Sequence, residues 1–202
     1  IDDLVKPNMQ QRAYQRRATV FESILLRNDN GEFHPLPLPS SAQMAPVYGT
    51  LPLDLNEDAY LDLLLVGNSF SSAVSEGPYD SLNGLVLLGK GDGQFEVLSD
   101  QFFKVPGDAK ALTATVTREG LRLIATQNND GLCVFDLNNP SYLQAKPDDE
   151  YATLYFEDGT KRRVELNNAG GYLSASSAFL TLPENIARIS IKNRYEMDEI
   201  DQ

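Results

Sequence analysis

Short apolar segments alternate with turns along most of this sequence, and this pattern limits the possible folds more than any other feature. From Phe21 onward, segments such as "SILL", "LDLLLV", "GLVLL", "LRLIAT" and "LCVF" are each followed within a few residues by Asn, Asp or Gly. Apolar segments of this length with turn residues between them are typical of β-strands. No segment after residue 20 combines the length and the 3.6-residue period of an amphipathic helix. The sequence therefore predicts an all-β fold.

The strand-and-turn unit occurs more than once. "ESILLRNDNGEF" (22–33) aligns with "GLVLLGKGDGQF" (84–95), so that apolar positions, the turn and the closing Gly-x-Phe match, and "GLCVFDLNNP" (131–140) resembles a more divergent third copy. "LDLLLVGN" (61–68) likewise resembles "LRLIATQN" (121–128). A repeat of about 40–60 residues built from strands predicts β-propeller-type blades, here a partial propeller. The alternative is one irregular β-sandwich in which the similarity is accidental.

The changes in composition divide the chain into four parts. We expect a short polar helix over residues 1–20, blades over 21–139, a linker over 140–150, and a small β-rich C-terminal module with an acidic tail over 151–202. Within this module, Asp158-Gly159 between two β-rich runs predicts a hairpin with a type I′ turn. The chain begins at Ile1 inside the expected helix, which suggests a fragment of a longer protein.

Charge and rare residues disfavour several classes of function. The formal net charge is −12, whereas a nucleic-acid binder needs Lys and Arg to neutralise phosphates; the cluster at Arg12, Arg16 and Arg17 fits a solvated helix face. Cys133 is the only cysteine, so no intrachain disulfide can form. His34 is the only histidine, which excludes a two-His metal site and disfavours a Ser-His-Asp triad. No apolar run approaches the about 18 residues of a membrane span.

The segment "DLNEDAYLD" carries the strongest indication of chemistry. Hard cations such as Ca²⁺ bind about six to eight oxygen atoms, and a D-x-[DN]-x-D loop can direct alternate side chains to one point. The side chains of Asp54, Asn56 and Asp58 occupy those alternate positions. Tyr60 would add its main-chain carbonyl, and Asp62 a carboxylate, either directly or through water. The sequence therefore predicts a calcium loop in front of the apolar strand "LLLV".

Two positions in this loop depart from the usual pattern. Glu57 and Ala59 occupy positions where glycine is common because a positive φ is convenient there. A metal-free acidic loop therefore remains the alternative. Mg²⁺ is disfavoured because it needs a small octahedral site that keeps its waters. A catalytic carboxylate pair is disfavoured because no histidine or lysine stands beside the carboxylates in the sequence.

These motifs resemble a known family. "DLNEDAYLDLLLVGN" followed by "GLVLLGKGDGQF" is similar to the FG-GAP/VCBS repeat, the calcium-binding blade of integrin-like β-propellers in bacterial surface proteins, over residues 21–137. The tail is similar to the ASPIC/UnbV module: its hallmark segment is "AGGYLSASS" here, with Ala175 where Gln is usual. The resemblance implies a Ca²⁺-stabilised binding protein with no defined reaction, at the cell or outer-membrane surface or in the periplasm.

Too few repeats are present to close a ring of about four to eight blades. We therefore expect upstream blades of the same full-length chain as partners. Where the loop should precede "LRLIATQN", the chain has "TATVTREG", so the third blade is expected to bind no ion.

A second candidate site lies in the long connection "GNSFSSAVSEGPYDSLNG" (67–84). Long loops on rigid β scaffolds commonly contact ligands. Its aromatic and polar side chains suit a glycan or a peptide: Asn68, Phe70, Tyr79, Asp80 and Asn83. The alternative is a loop packed on its own blade or on a neighbouring domain. The glycines of "GKGDG" predict a hairpin turn, since a strand follows where a phosphate loop would need a helix.

The residues and the resemblance together favour a non-enzymatic binding module for protein or polysaccharide. One alternative is an accessory or structural domain of a glycan-active enzyme whose catalytic part lies upstream. A purely structural module that closes the propeller is the third possibility.

Overall fold

The computed structural model describes residues 14, 16–99, 102–137, 141–166, 169–171, 174–195 and 197–201. In these residues, strands are the only extended regular structure, and a single 3₁₀ turn lies at Ser40–Gln43, which confirms the all-β prediction. Most of the helix expected over 1–20 lies outside the described residues, and 16–20 have no regular structure. No helix in the described part is long and apolar enough to cross a membrane.

The strands are β1 (Ile24–Asp29), β2 (Glu32–Pro37), β3 (Val47–Leu53), β4 (Asp62–Gly67), β5 (Leu85–Gly89), β6 (Phe95–Val97), β7 (Ala109–Val116), β8 (Leu121–Gln127), β9 (Cys133–Leu137), β10 (Tyr142–Gln144), β11 (Asp149–Phe156), β12 (Lys161–Glu165), β13 (Ala169–Gly171), β14 (Ser174–Ala175), β15 (Phe179–Thr181), β16 (Ile186–Asn193) and β17 (Met197–Asp201).

These strands form several small antiparallel sheets, and none of the sheets closes within the described residues. β1 and β2 form a hairpin, β3-β4-β5-β6 a four-stranded meander, and β7-β8-β9 a three-stranded meander. The C-terminal sheet has the order β12-β11-β16-β17, and two-stranded pairs join β10 with β15 and β13 with β14. The aligned repeats of the sequence thus fall on hairpins β1–β2 and β5–β6, and the second aligned element falls on β4 and β8.

The central strands β4 and β5 of the β3–β6 sheet are buried on both faces, which explains why they are almost wholly apolar. Leu64 and Val66 point into a core shared with the β7–β9 sheet. Leu65 and Leu87 point to the opposite side, into a second core that includes the 3₁₀ turn. Successive side chains of a strand point to opposite faces, so a strand covered on both sides needs apolar residues at every position.

The segment 140–150, expected to be a linker, contains regular structure. It includes β10, which pairs with β15, and the first residues of β11. Leu143 packs against the core of the C-terminal module, formed by residues such as Leu154 and Ile189. Burial of this leucine fixes part of the segment to the module.

The hairpin predicted at Asp158-Gly159 is present, but its turn is not type I′. A type I′ turn needs positive φ at both central residues, and of these two only Gly159 has it, at +83°. The N–H of Gly159 bonds to the carbonyl of Phe156 at 3.0 Å, and the Asp158 carboxylate accepts the N–H of Thr160 at 2.8 Å. The Phe156–Gly159 bond therefore closes a β-turn in which Asp158 is outside the left-handed region and the glycine that follows it is left-handed.

The C-terminal module is fixed to the edge strand β7 by two serines. The Oγ of Ser176 accepts the N–H of Ala114, and the Oγ of Ser177 accepts the N–H of Val116, both at 3.3 Å. The N–H of Ser177 donates to the carbonyl of Ala114 at 2.9 Å. These bonds satisfy edge groups that would otherwise invite pairing with another chain. The "SASS" end of the quoted tail motif therefore serves as an edge cover.

Candidate functional site

The acidic loop connects β3 to β4, with a buried aspartate at each of its ends. Leu53 pairs with Asp62 across the two strands, so the loop closes a hairpin. The exposed fractions of Asp54 and Asp62 are 1% and 0%. A buried carboxylate is unfavourable unless hydrogen bonds or a cation compensate it, so the contacts of these two side chains determine what the loop can do.

Asp62 is compensated by main-chain donors. Its Oδ2 accepts the N–H of Leu55 at 2.8 Å, and its Oδ1 accepts the N–H of Gly89 at 2.9 Å. The carboxylate therefore joins the start of the loop to the end of β5. Burial raises the pKa of Asp62, and the two N–H groups oppose that rise.

Asp54 is only half compensated. Its Oδ2 accepts the N–H of Ala59 at 3.0 Å, whereas its Oδ1 is buried and has no hydrogen-bond partner among the described residues. Burial raises the pKa of Asp54 to about 6, although the positive charge of Arg162 opposes the rise. This oxygen is the buried acceptor of the loop that still lacks a donor.

The middle of the loop is held by its own side chains. The Nδ2 of Asn56 donates to Oδ2 of Asp58 at 2.9 Å, and Oδ1 of Asp58 accepts the N–H of Tyr60 at 2.8 Å. The ring of Tyr60 covers Gly91 in the β5–β6 turn so closely that a Cβ there would lie 2.3 Å from the ring. Tyr60 therefore fixes the loop to the neighbouring turn through its side chain.

The backbone adopts left-handed geometry at the two positions where glycine was expected. Glu57 has φ +61° and Ala59 has φ +71°. A non-glycine residue in this conformation destabilises the fold by about 1–2 kcal/mol, but Glu57 and Ala59 both make contacts that compensate this loss. The N–H of Ala59 bonds to Asp54, and the Glu57 carboxylate accepts the N–H of Ser141 at 3.3 Å.

Arg162, on β12 of the C-terminal sheet, is the functional residue of this site that sequence reasoning missed. Its Nη1 donates to the carbonyl of Ala59 at 2.7 Å, while its Nε and Nη2 are buried without hydrogen-bond partners among the described residues. Burial lowers the pKa of Arg162, and the charges of Asp54 and Asp58 oppose that decrease. Arg162 therefore brings a positive charge from a strand that is distant in sequence to the acidic loop.

A calcium ion needs about six to eight convergent oxygens, and most side-chain oxygens of this loop accept N–H groups. Of the side-chain oxygens of Asp54, Asn56, Asp58 and Asp62, only Oδ1 of Asp54 has no N–H donor. Among the described residues, no three His, Cys, Asp or Glu side chains are grouped closely enough to hold an ion. The structure brings the five predicted ligands into one loop, and calcium binding stays a prediction.

The second candidate site, the 68–83 loop, has a fixed base and exposed aromatic residues. Asn68 is fully buried: its Nδ2 donates to the carbonyl of Gly107 at 3.1 Å, and its Oδ1 accepts the N–H of Leu82 at 2.9 Å. This side chain holds the loop in place instead of facing a ligand. Main-chain bonds in both directions between Ser69 and Tyr79, at 2.8 and 2.9 Å, continue the same support.

The other four predicted residues of this loop are accessible. Phe70 and Tyr79 each expose 48% of their surface, and Asp80 and Asn83 are exposed as well.

Two residues outside the loop lie near its base and were not predicted. The ammonium of Lys110 lies 4.0 Å from the centre of the Tyr48 ring and donates to the carbonyl of Asn68 at 3.1 Å. It also pairs with the buried carboxylate of Asp108. Nothing in the sequence links Tyr48 on β3 to Lys110 on β7, because only the packing of the two meanders brings them together.

No protein-family model and no curated protein matches this sequence. The resemblance to FG-GAP/VCBS repeats and to the ASPIC/UnbV module therefore remains a hypothesis based on the quoted motifs.

Replacement of Asp62 by Asn should destabilise the fold strongly. The amide would place an N–H₂ group against the N–H of either Leu55 or Gly89, in a buried position. We expect a loss of about 2–4 kcal/mol in the free energy of unfolding, measured by urea denaturation. The exposed Asp80→Asn is the control, with an expected loss below about 0.5 kcal/mol. Equal losses for the two variants would contradict the role assigned to Asp62.

The raised pKa of Asp54 predicts a pH dependence of stability. Its pKa is about 6 in the folded chain against an ordinary value of 3.8, so folding favours the protonated acid. This contribution is complete below about pH 4 and is lost as the pH rises through about 6. Between pH 4 and 7.5, the free energy of unfolding of Asp54→Asn should therefore rise by about 2–3 kcal/mol relative to that of the wild type, measured by denaturation at each pH. Parallel pH profiles of the two proteins would show that Asp54 does not titrate in this way.

Proposed function

We propose that this chain is a non-enzymatic binding module of propeller-type blades that recognises a polysaccharide or a protein through the 68–83 loop. The observation that carries the proposal is the exposed pair Phe70 and Tyr79 on a long loop whose base is fixed by buried Asn68. Aromatic side chains held on a rigid support bind with little loss of conformational entropy.

The local topology supports propeller-type blades. The meander β3–β6 has the four antiparallel strands of a blade, and its core face packs against the second meander, β7–β9. Hairpin β1–β2, which aligns in sequence with β5–β6, would then be the outer hairpin of a preceding blade. We propose that upstream blades of a longer chain complete the ring, and that the protein works at the cell or outer-membrane surface or in the periplasm, as the resemblance implies.

The chemistry near the loop suits a neutral sugar or a protein surface. The rings of Phe70 and Tyr79 can stack on a sugar ring or cover apolar side chains, while exposed Asp80 and Asn83 offer hydrogen bonds. The charge of Lys110 is neutralised by Asp108. A net charge of −12 argues against nucleic acid as the partner.

Histidine and cysteine are the residue types most often used as base and nucleophile. The surroundings of His34 and Cys133 favour a non-enzymatic role. His34 is partly buried on the β1–β2 hairpin, with its Nε2 3.7 Å from Oδ2 of Asp29. Cys133 is partly buried on β9, where burial raises the pKa of its thiol and so disfavours the reactive thiolate. The alternative is an accessory domain of a glycan-active enzyme, and that function would use the same loop without contributing catalytic groups.

Substitution of the two exposed rings should abolish ligand binding without loss of stability. A glycan array and a pull-down with the full-length protein would identify the ligand class. Phe70→Ser with Tyr79→Ser should then weaken binding at least about tenfold, since each ring would be a buried anchor in the complex. The matched control is Phe33→Ser with Tyr195→Ser, because both side chains are exposed elsewhere, at 59% and 75%.

Unchanged affinity in the loop variant would show that the ligand binds at another surface. Turnover of a glycoside or uronate by the full-length protein, without stable binding, would contradict the non-enzymatic proposal.

A further inference from the structure

The acidic loop 54–62 contains more negative charge than its hydrogen bonds can compensate. Asp54, Glu57, Asp58 and Asp62 lie within nine residues of one another. The two aspartates at its ends are almost completely buried. Main-chain N–H groups compensate Asp62, whereas Asp54 has one bonded oxygen and would be stabilised by a nearby cation, from a bound metal ion or from the chain itself.

Arg162 supplies a positive charge at this loop. The guanidinium reaches it from β12, and Nη1 holds the carbonyl of Ala59, one of the two left-handed residues of the loop, at 2.7 Å. The guanidinium carbon lies 5.7 Å from the centre of the Phe156 ring. The residue is only partly exposed, so its charge is weakly screened by solvent.

The unsatisfied atoms of the site are complementary. Nε and Nη2 of Arg162 are buried donors without acceptors, and Oδ1 of Asp54 is a buried acceptor without a donor, among the described residues. Asp54 and Asp58 are the charges that act most on Arg162. Planar guanidinium groups match carboxylates well, and they tolerate burial better than ammonium groups.

A calcium ion and this guanidinium would compete for the same carboxylates. Two cations on one buried loop repel each other strongly because the interior screens charge poorly. The oxygens of Asp58 and Asp62 already accept N–H groups. These bonds use part of the acceptor capacity of each oxygen, and a metal would have to bind beside the buried charge of Arg162.

We propose that Arg162 is the resident cation of the 54–62 loop and takes over the role that a calcium ion would have in a loop of this sequence pattern. The loop then needs no metal, and it ties the β3–β6 sheet to the C-terminal module. This inference is independent of ligand binding at the 68–83 loop.

Thermal unfolding in millimolar CaCl₂ and in EDTA tests the inference, because calcium sites of extracellular modules bind at about 10⁻⁴–10⁻³ M. The wild-type Tm should agree within about 1 °C in the two buffers. Arg162→Gln should lower the Tm in EDTA by about 5 °C or more. Millimolar Ca²⁺ should restore part of that loss, because the vacated loop would accept the ion.

The neighbouring Arg163→Gln is the matched control. Arg163 is exposed, stacks on Tyr151 and pairs with Glu165 at 2.8 Å, so its loss should change the Tm by less than about 2 °C. Arg162→Lys, which keeps the charge, should retain more stability than Arg162→Gln and remains informative if the glutamine variant does not fold.

Three results would overturn the inference. The first is a wild-type Tm that rises by several degrees with Ca²⁺, because the ion would then bind beside Arg162. The second is an Arg162→Gln variant as stable as Arg163→Gln. The third is a destabilised Arg162→Gln that does not respond to Ca²⁺, which would leave Arg162 with a packing role only.

Discussion

The burial of carboxylates at the two ends of one tight hairpin loop is the constraint on which the rest of the structure depends. The Asp62 carboxylate needs donors, and these are the N–H groups of Leu55 in the loop and of Gly89 at the end of the neighbouring strand β5. Asp54 must find a counter-charge, and Arg162 brings one from the C-terminal sheet. Because Gly89 belongs to β5 and Arg162 to β12, the loop between β3 and β4 contacts both of these strands.

The side chains that hold the scaffold together differ from those that are exposed for binding. The acidic loop, the buried Asn68 amide and the Ser176–Ser177 contacts with β7 all satisfy main-chain groups at the ends and edges of strands. The aromatic side chains of Phe70 and Tyr79, in contrast, are half exposed. This division supports a rigid β scaffold with one adaptable surface for a partner.

The parts of the fold that depend on local sequence could be predicted. The apolar runs of β4 and β5, the "GKGDG" turn and the hairpin at Asp158-Gly159 all follow from patterns within a few residues. The type of the last turn was predicted wrongly, because Asp158, whose carboxylate accepts the N–H of Thr160, does not adopt the positive φ that a type I′ turn needs.

The chemistry of the acidic loop could not be predicted from local sequence, because it depends on residues far away in the chain. The pattern of oxygens identified the loop and its two left-handed positions. Gly89 lies 27 residues from the carboxylate that it binds, and Arg162 lies 103 residues from Ala59. Only the tertiary fold brings the Gly89 N–H to the Asp62 carboxylate and the Arg162 guanidinium to the loop.

The most direct test is a double-mutant cycle between Asp54→Asn and Arg162→Gln, with the free energies of unfolding measured at pH 8, where Asp54 is ionised. If the guanidinium compensates the Asp54 carboxylate, the double variant should be less destabilised than the sum of the single variants, by at least about 1 kcal/mol. Additive losses within about 0.3 kcal/mol would show that the two charges do not interact and would contradict the account.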